Sequence, residues 1–109
     1  MSGRARAALA LLLCFSASLG ACGRRAPRAA VVRASNFAFA PVTLDVAVGD
    51  TLVFTNADIV PHTTTARDGT WDSNTIATAA TWRVVARVAG RHEYVCTFHP
   101  TMKGTVTVR

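Results

Sequence analysis

Beyond residue 30 the apolar residues recur at every second position, and no stretch repeats at the 3.6-residue spacing of an amphipathic helix. A chain patterned in this way folds into half-buried strands. Residues 31–35 form a first strand. Phe37 and Phe39 alternate with Ala38, and Pro41, which lacks the N–H a ladder needs, interrupts the run. Val42, Leu44, Val46 and Val48 then face one way. Gly49-Asp50 turns the chain into residues 51–56, with Leu52 and Phe54 on one face. Residues 57–80 are irregular and rich in Thr, Ala, Asp and Asn. Trp82, Val84, Ala86 and Val88 share a face of the next strand, Gly90 turns it, and residues 92–96 and 104–108 complete the set. Short strands with regular turns predict an all-β, antiparallel β-sandwich. Leu44, Val46, Leu52, Phe54, Trp82, Val84, Tyr94 and Val106 are its expected core, and Trp71 is expected to pack there too.

The 109 residues suffice for one domain, and they divide into three regions. Residues 1–21 read as an export signal: Arg4 and Arg6, an apolar run over residues 7–15, then small residues. That run is too short to span a bilayer. Leu19-Gly20-Ala21-Cys22 resembles a bacterial lipobox, which makes Cys22 the expected lipid acceptor and the protein an extracytoplasmic, membrane-tethered lipoprotein. Residues 22–30 form a basic tether, and residues 31–109 the domain. The tether's arginines are placed to lie along anionic head groups.

The overall charge of +6 points away from nucleic acid once it is located. From residue 31 onward seven basic residues face six acidic ones, so the folded part lacks an electrostatic footprint for a polyanion. Cys14 lies in the signal and Cys22 at its end, which leaves Cys96 alone in the domain and excludes a disulfide there. An unpaired thiol in an exported protein is prone to oxidation unless it has a task.

Cys96-Thr97-Phe98-His99-Pro100-Thr101-Met102 supplies that task. A thiolate, an imidazole and a thioether recur at three-residue intervals in one short loop, where positions i, i+3 and i+6 can converge. His62, after Pro61, offers a second imidazole from a neighbouring strand end. Two His, one Cys and a weak axial Met form the donor set of a blue-copper electron-transfer site. Pro100 stiffens the loop, and Gly104 permits the return into a strand. His92 has the parity of Cys96, but four residues of strand separate them by ~13 Å, too far for shared ligation, so it reads as structural. The carboxylates form no pair, and no Ser-His-Asp order suggests an enzyme.

These elements together resemble the small cupredoxins, a family that includes amicyanin, pseudoazurin and plastocyanin. The resemblance runs through Phe39-Ala40-Pro41, Gly49 to Asp58, Pro61-His62-Thr63, Trp71-Asp72-Ser73 and Glu93 to Gly104, and covers residues 31–109. The short ligand loop looks most like that of amicyanin. The resemblance implies a Greek-key sandwich with one type 1 copper at its end. It implies His62, Cys96 and His99 as strong ligands and Met102 as the long axial one. His99 would have one edge exposed for a transiently docked redox partner, with Pro61 and Pro100 as an apolar patch and Lys103 at its rim. A monomeric electron carrier follows. Thr63 stands where these relatives usually have Asn, and a Thr63–Thr97 hydroxyl contact can substitute for the Asn brace. Phe98 stands where amicyanin has Pro. Its free N–H offers a second hydrogen bond to the sulfur, on which ground replacement by Pro is expected to lower the reduction potential. A copper carrier or delivery protein would use the same ligands. The lack of any Met-rich or His-rich tract favours electron transfer.

Overall fold

The computed structural model describes residues 25–109; the stretch read as an export signal and Cys22 lie outside them. Eight strands, β1 (Ala29–Ser35), β2 (Ala38–Ala40), β3 (Thr43–Val46), β4 (Thr51–Asn56), β5 (Thr65–Ala66), β6 (Thr81–Val85), β7 (Gly90–Val95) and β8 (Lys103–Val108), form two four-stranded sheets. One has the order β2-β1-β4-β6 and the other β3-β8-β7-β5. The described residues contain no helix.

The all-β sandwich is as expected, but its sheets are mixed rather than purely antiparallel. β1 runs parallel to β4, and β3 parallel to β8. The cause is the break at Pro41. β2 returns antiparallel to β1, and the chain then crosses to the other sheet, where β3 continues in the same direction beside β8. Consecutive strands across that break are therefore not neighbours. The register defines two poles. The ends at Ser35, Asn56, Val95 and Lys103 lie at one; those at Ala29, Thr51, Val85, Gly90 and Val108 lie at the other.

Three boundaries differ from the pattern. β1 begins at Ala29, inside the stretch read as tether. Ahead of it Arg25 grips Asp50 with two hydrogen bonds of 3.0 and 2.6 Å, while the amides of Arg28 and Ala47 bond the same carboxylate at 2.9 Å. The Arg25 bonds first, then these two amides, hold the Asp50 carboxyl far below the usual range. Val42 and Val48 flank β3 and are exposed, because Val48 sits in the turn that Asp50 closes. β6 ends at Val85, so Val88 leaves the core face and is exposed.

The core joins Val32, Phe39, Leu52, Phe54, Tyr94 and Val106, all nearly or fully buried. Leu44, Trp82 and Val84 pack against it half-buried. The irregular segment contributes Trp71 and Ile76. Tyr94 is the centre of an aromatic cluster, with ring centroids 4.9 Å from Phe39, 5.4 Å from Phe54 and 5.9 Å from Trp71. Its hydroxyl is buried without a partner among the described residues, and burial pushes its pKa up.

His92 is structural, as its spacing from Cys96 predicts. Its Nδ1 meets Asp68 Oδ2, and its Nε2 meets the Val88 carbonyl at 2.7 Å. Both partners are acceptors, so the two contacts favour the protonated ring, in which both nitrogens donate. Burial opposes that charge, but the bonds to Asp68 and Val88 outweigh it and raise the pKa above its ordinary value. The Thr70 hydroxyl and then His92 hold Asp68 down to about 2.

Two predictions follow from the packing and from this pair. A Cβ added at Gly104 would lie within 2.8 Å of Tyr94 Cε1 and closer still to its hydroxyl. Gly104→Ala is expected to cost ~1–3 kcal/mol in urea unfolding, as overpacking does, whereas Tyr94→Phe, which removes an unpartnered polar atom, is expected to leave stability unchanged or raise it. His92 has a raised folded pKa, so its contribution is complete below the unfolded value of about 6.5 and fades as pH rises through the folded one. Unfolding midpoints measured from pH 5 to 9 are expected to fall across that window, and His92→Gln is expected to flatten the fall.

Candidate metal centre

Two successive tight turns shape the loop between β7 and β8. His99 N–H donates to the Cys96 carbonyl at 3.2 Å, and Met102 N–H to the His99 carbonyl at 2.8 Å. Cys96 N–H closes the loop on the Met102 carbonyl at 2.9 Å. Residues 96, 99 and 102 thus recur once per turn, as the three-residue spacing anticipates. His62 enters from the connection between β4 and β5, held by a paired bridge to Ile76, with N···O distances of 3.1 and 2.7 Å.

The donor atoms of His62, Cys96 and His99 all lie within 4.8 Å of one another. Cys96 Sγ is 3.7 Å from Nδ1 of His62 and 3.7 Å from Nδ1 of His99. Bonds of ~2.0 Å to nitrogen and ~2.3 Å to sulfur span that separation at an angle of about 120°. The spacing therefore fits one small metal ion in a trigonal His₂Cys arrangement. His62, Cys96 and Met102 are buried, while His99 is partly exposed.

Asp58 orients the buried imidazole. Its Oδ2 receives the His62 Nε2–H at 2.7 Å, which fixes the tautomer and leaves the Nδ1 lone pair facing the sulfur. The same carboxylate accepts the amides of Asn36 at 2.6 Å and Phe37 at 3.0 Å. Burial opposes its ionisation, but the bonds from Phe37, His62 and Asn36 prevail and keep its pKa below the ordinary value. Asn36 and Phe37 both adopt positive φ, 52° and 59°. That turn sets the Phe37 ring edge-on to His99, with centroids 4.9 Å apart, and to His62 at 5.7 Å.

Thr63 donates its amide to Cys96 Sγ at 3.3 Å. Its hydroxyl lies 3.1 Å from that of Thr97 and accepts the Thr97 amide at 2.9 Å. The hydroxyl bridge expected in place of an Asn brace is present. The second bond to the sulfur, expected from the Phe98 amide, is not found among the described residues. The turn that bonds His99 to Cys96 O leaves Thr63 as the sulfur's amide donor, and Phe98 instead presents a half-exposed ring. Loss of a sulfur bond therefore gives no ground for a lower potential in Phe98→Pro.

Pro61 and Pro100 are exposed beside this end of the sandwich. Asp58 and Phe37 have site contacts that periodicity does not reveal. Asp58 carries a faint signal as a carboxylate four positions before a candidate ligand, and Phe37 carries none.

The sequence matches the cupredoxin-like domain family over residues 5–108. The chain belongs to the cupredoxin-like family. Among curated proteins no sequence matches. Among solved structures it is similar to a Cu(I) form of an amicyanin variant, with 27% identity and a TM-score of 0.70 over 74% of this chain and 82% of that one. A second amicyanin variant, in its reduced state, is 29% identical with a TM-score of 0.69, and a third, in its oxidised state, is 28% identical with a TM-score of 0.70, at the same coverage. The resemblance to small cupredoxins expected from the sequence motifs is thus matched by the fold of these amicyanin structures. In this cupredoxin, the partly exposed His99 and the buried His62 and His92 are chemically distinguishable. Diethyl pyrocarbonate followed by peptide mass spectrometry is expected to modify metal-free protein at His99 well before the other two.

Proposed function

We propose that this cupredoxin holds one copper ion and passes single electrons between redox proteins outside the cytoplasm. His62 Nδ1, Cys96 Sγ and His99 Nδ1 would hold the ion, with the Met102 thioether as a weaker fourth donor. The observation that carries the reading is the convergence of two imidazole nitrogens, each 3.7 Å from one buried thiol, in a cupredoxin sandwich. Copper, when bound, supplies a one-electron couple that soft sulfur and borderline imidazole ligands sustain in both oxidation states.

The chain's own residues do the rest. Asp58 holds His62 in one tautomer and one orientation. Thr63 donates to the sulfur and, through Thr97, ties the ligand loop to the segment that carries His62. These bonds leave little to rearrange when charge changes by one unit, which is what an electron carrier needs and a metal-delivery site does not. His99 reaches the surface and offers the shortest covalent route, through its ring and the loop, toward Cys96. Pro61 and Pro100 provide an apolar rim for a transient interface, joined by the exposed rings of Phe37 and Phe98, with Lys103 beyond them. The chain works as a monomer and transforms no substrate of its own. Residues 1–21 direct export, and lipidation at Cys22 tethers the domain.

The test is a copper titration of residues 25–109, followed by voltammetry. An intense thiolate-to-copper absorption that bleaches on reduction and returns on oxidation, at one copper per chain and lost in Cys96→Ser, is the expected result. A colourless complex that surrenders its metal to a chelator within seconds would instead assign the protein to copper delivery.

A further inference from the structure

The pole opposite the metal centre has a chemistry of its own. The segment from Arg25 to Arg28, the turn over residues 47–50, residues 86–88 and Arg109 are knitted into one surface. Thr51 N–H bonds Arg28 O at 2.8 Å, Gly49 N–H bonds Ala86 O at 2.8 Å, and Val48 N–H bonds Arg109 O at 3.0 Å. The Val88 carbonyl is held by His92. At the tips of two of these turns stand Val48 and Val88, each 53% exposed.

Four arginines stand at the same pole as the two valines. Arg28 and Arg87 are exposed and join no ion pair among the described residues. Arg91 and Arg109 are exposed and pair with exposed Glu93 and Asp45 at 3.1 and 3.6 Å, contacts that another anion can replace at little cost. Asp50, the acid at the centre, is buried and compensated by Arg25. Asp68 is engaged by His92. Apolar tips set among arginines suit the boundary between head groups and acyl chains, where each basic side chain gains from anionic lipid.

The chain's path supplies the second argument. Residues 1–24, with the apolar run over residues 7–15 and Cys22, lead into Arg25 at this same pole. Three residue steps separate Cys22 from the Arg25–Asp50 clamp, a reach of about 10 Å at full extension. We infer that this pole docks on an anionic lipid surface through Val48, Val88, Arg28 and Arg87, so that the metal centre faces away from the membrane. The inference rests on the proposed tether only for bringing the pole near the bilayer.

The test fixes the tether independently. The chain from Cys22 to Arg109 is coupled through the Cys22 thiol to a maleimide lipid; Cys96, wholly buried, is protected. A tryptophan is introduced by Val88→Trp at one pole or by Ile59→Trp at the other, where Ile59 is 92% exposed. Each is compared with the parent in vesicles of brominated phosphatidylglycerol mixed with phosphatidylcholine. Quenching of the added emission in Val88→Trp, little in Ile59→Trp, and loss of the difference in pure phosphatidylcholine are expected. Each arginine near an anionic surface contributes a factor of roughly five, so Arg28→Gln with Arg87→Gln is expected to lower the docked fraction relative to the free one by roughly thirtyfold. Equal quenching at both positions, or none at either, in the phosphatidylglycerol vesicles would overturn the orientation. Natural lipidation is read separately, from the mass of the N-terminal peptide in a membrane fraction. Its absence would remove the proposed anchor without touching the vesicle result.

Discussion

The Asp58 carboxylate accepts three N–H groups from two separate parts of the chain, and the metal-binding end of the sandwich is organised around it. Two of the groups belong to the left-handed turn at Asn36 and Phe37, and the third to the His62 ring. The turn between β1 and β2 is thereby fastened to a candidate ligand. Without the carboxylate, two amides of a strained turn would have no acceptor and a buried imidazole would be free to choose its tautomer. With it, the Phe37 ring lies against both histidines and covers part of the site. Asn56 extends the same bracing. Its side chain donates to the carbonyls of Val60 and Ile76 at 2.9 Å each and accepts the Asp58 amide at 3.0 Å, so the loop that carries Asp58 is itself held.

Local features of the chain revealed much of this, and long-range ones did not. The 96–102 loop was legible because its donors lie close in sequence and its geometry is that of a turn. Residues 51–56 were legible because alternation and a Gly-Asp turn act within a few positions, and β4 has those bounds. The mixed sheets were not, since Pro41 shows that a strand breaks but not that its halves belong to different layers. Val48 and Val88 kept the parity of the core after their strands had ended; periodicity carries no mark of where a ladder stops. The Arg25–Asp50 clamp escaped for a related reason. A basic stretch without apolar pattern reads as linker, while its partner lies 25 positions away. Thr63 shows the opposite case, in which knowing what the usual Asn does was enough to name the hydroxyl pair that replaces it.

The two poles divide the labour of the domain. One gathers soft and borderline donors, with a partly exposed imidazole and apolar rim. The other gathers arginines, the buried His92 and the clamp that receives Arg25. Between them the Tyr94 cluster fills the sandwich, and Gly104 leaves room for the tyrosine ring. The sheets thus act as a spacer that keeps two chemistries apart along the strands.

The loop from Cys96 to Met102 closes on itself with three backbone bonds, between two strands that are already antiparallel neighbours. Its shape owes little to the sheets below. A change in the number of residues between its donors would alter the site while the pairing of β7 and β8 stayed in register. Such a segment is a separable unit: one hairpin can be lengthened or shortened with the core it stands on left as it was.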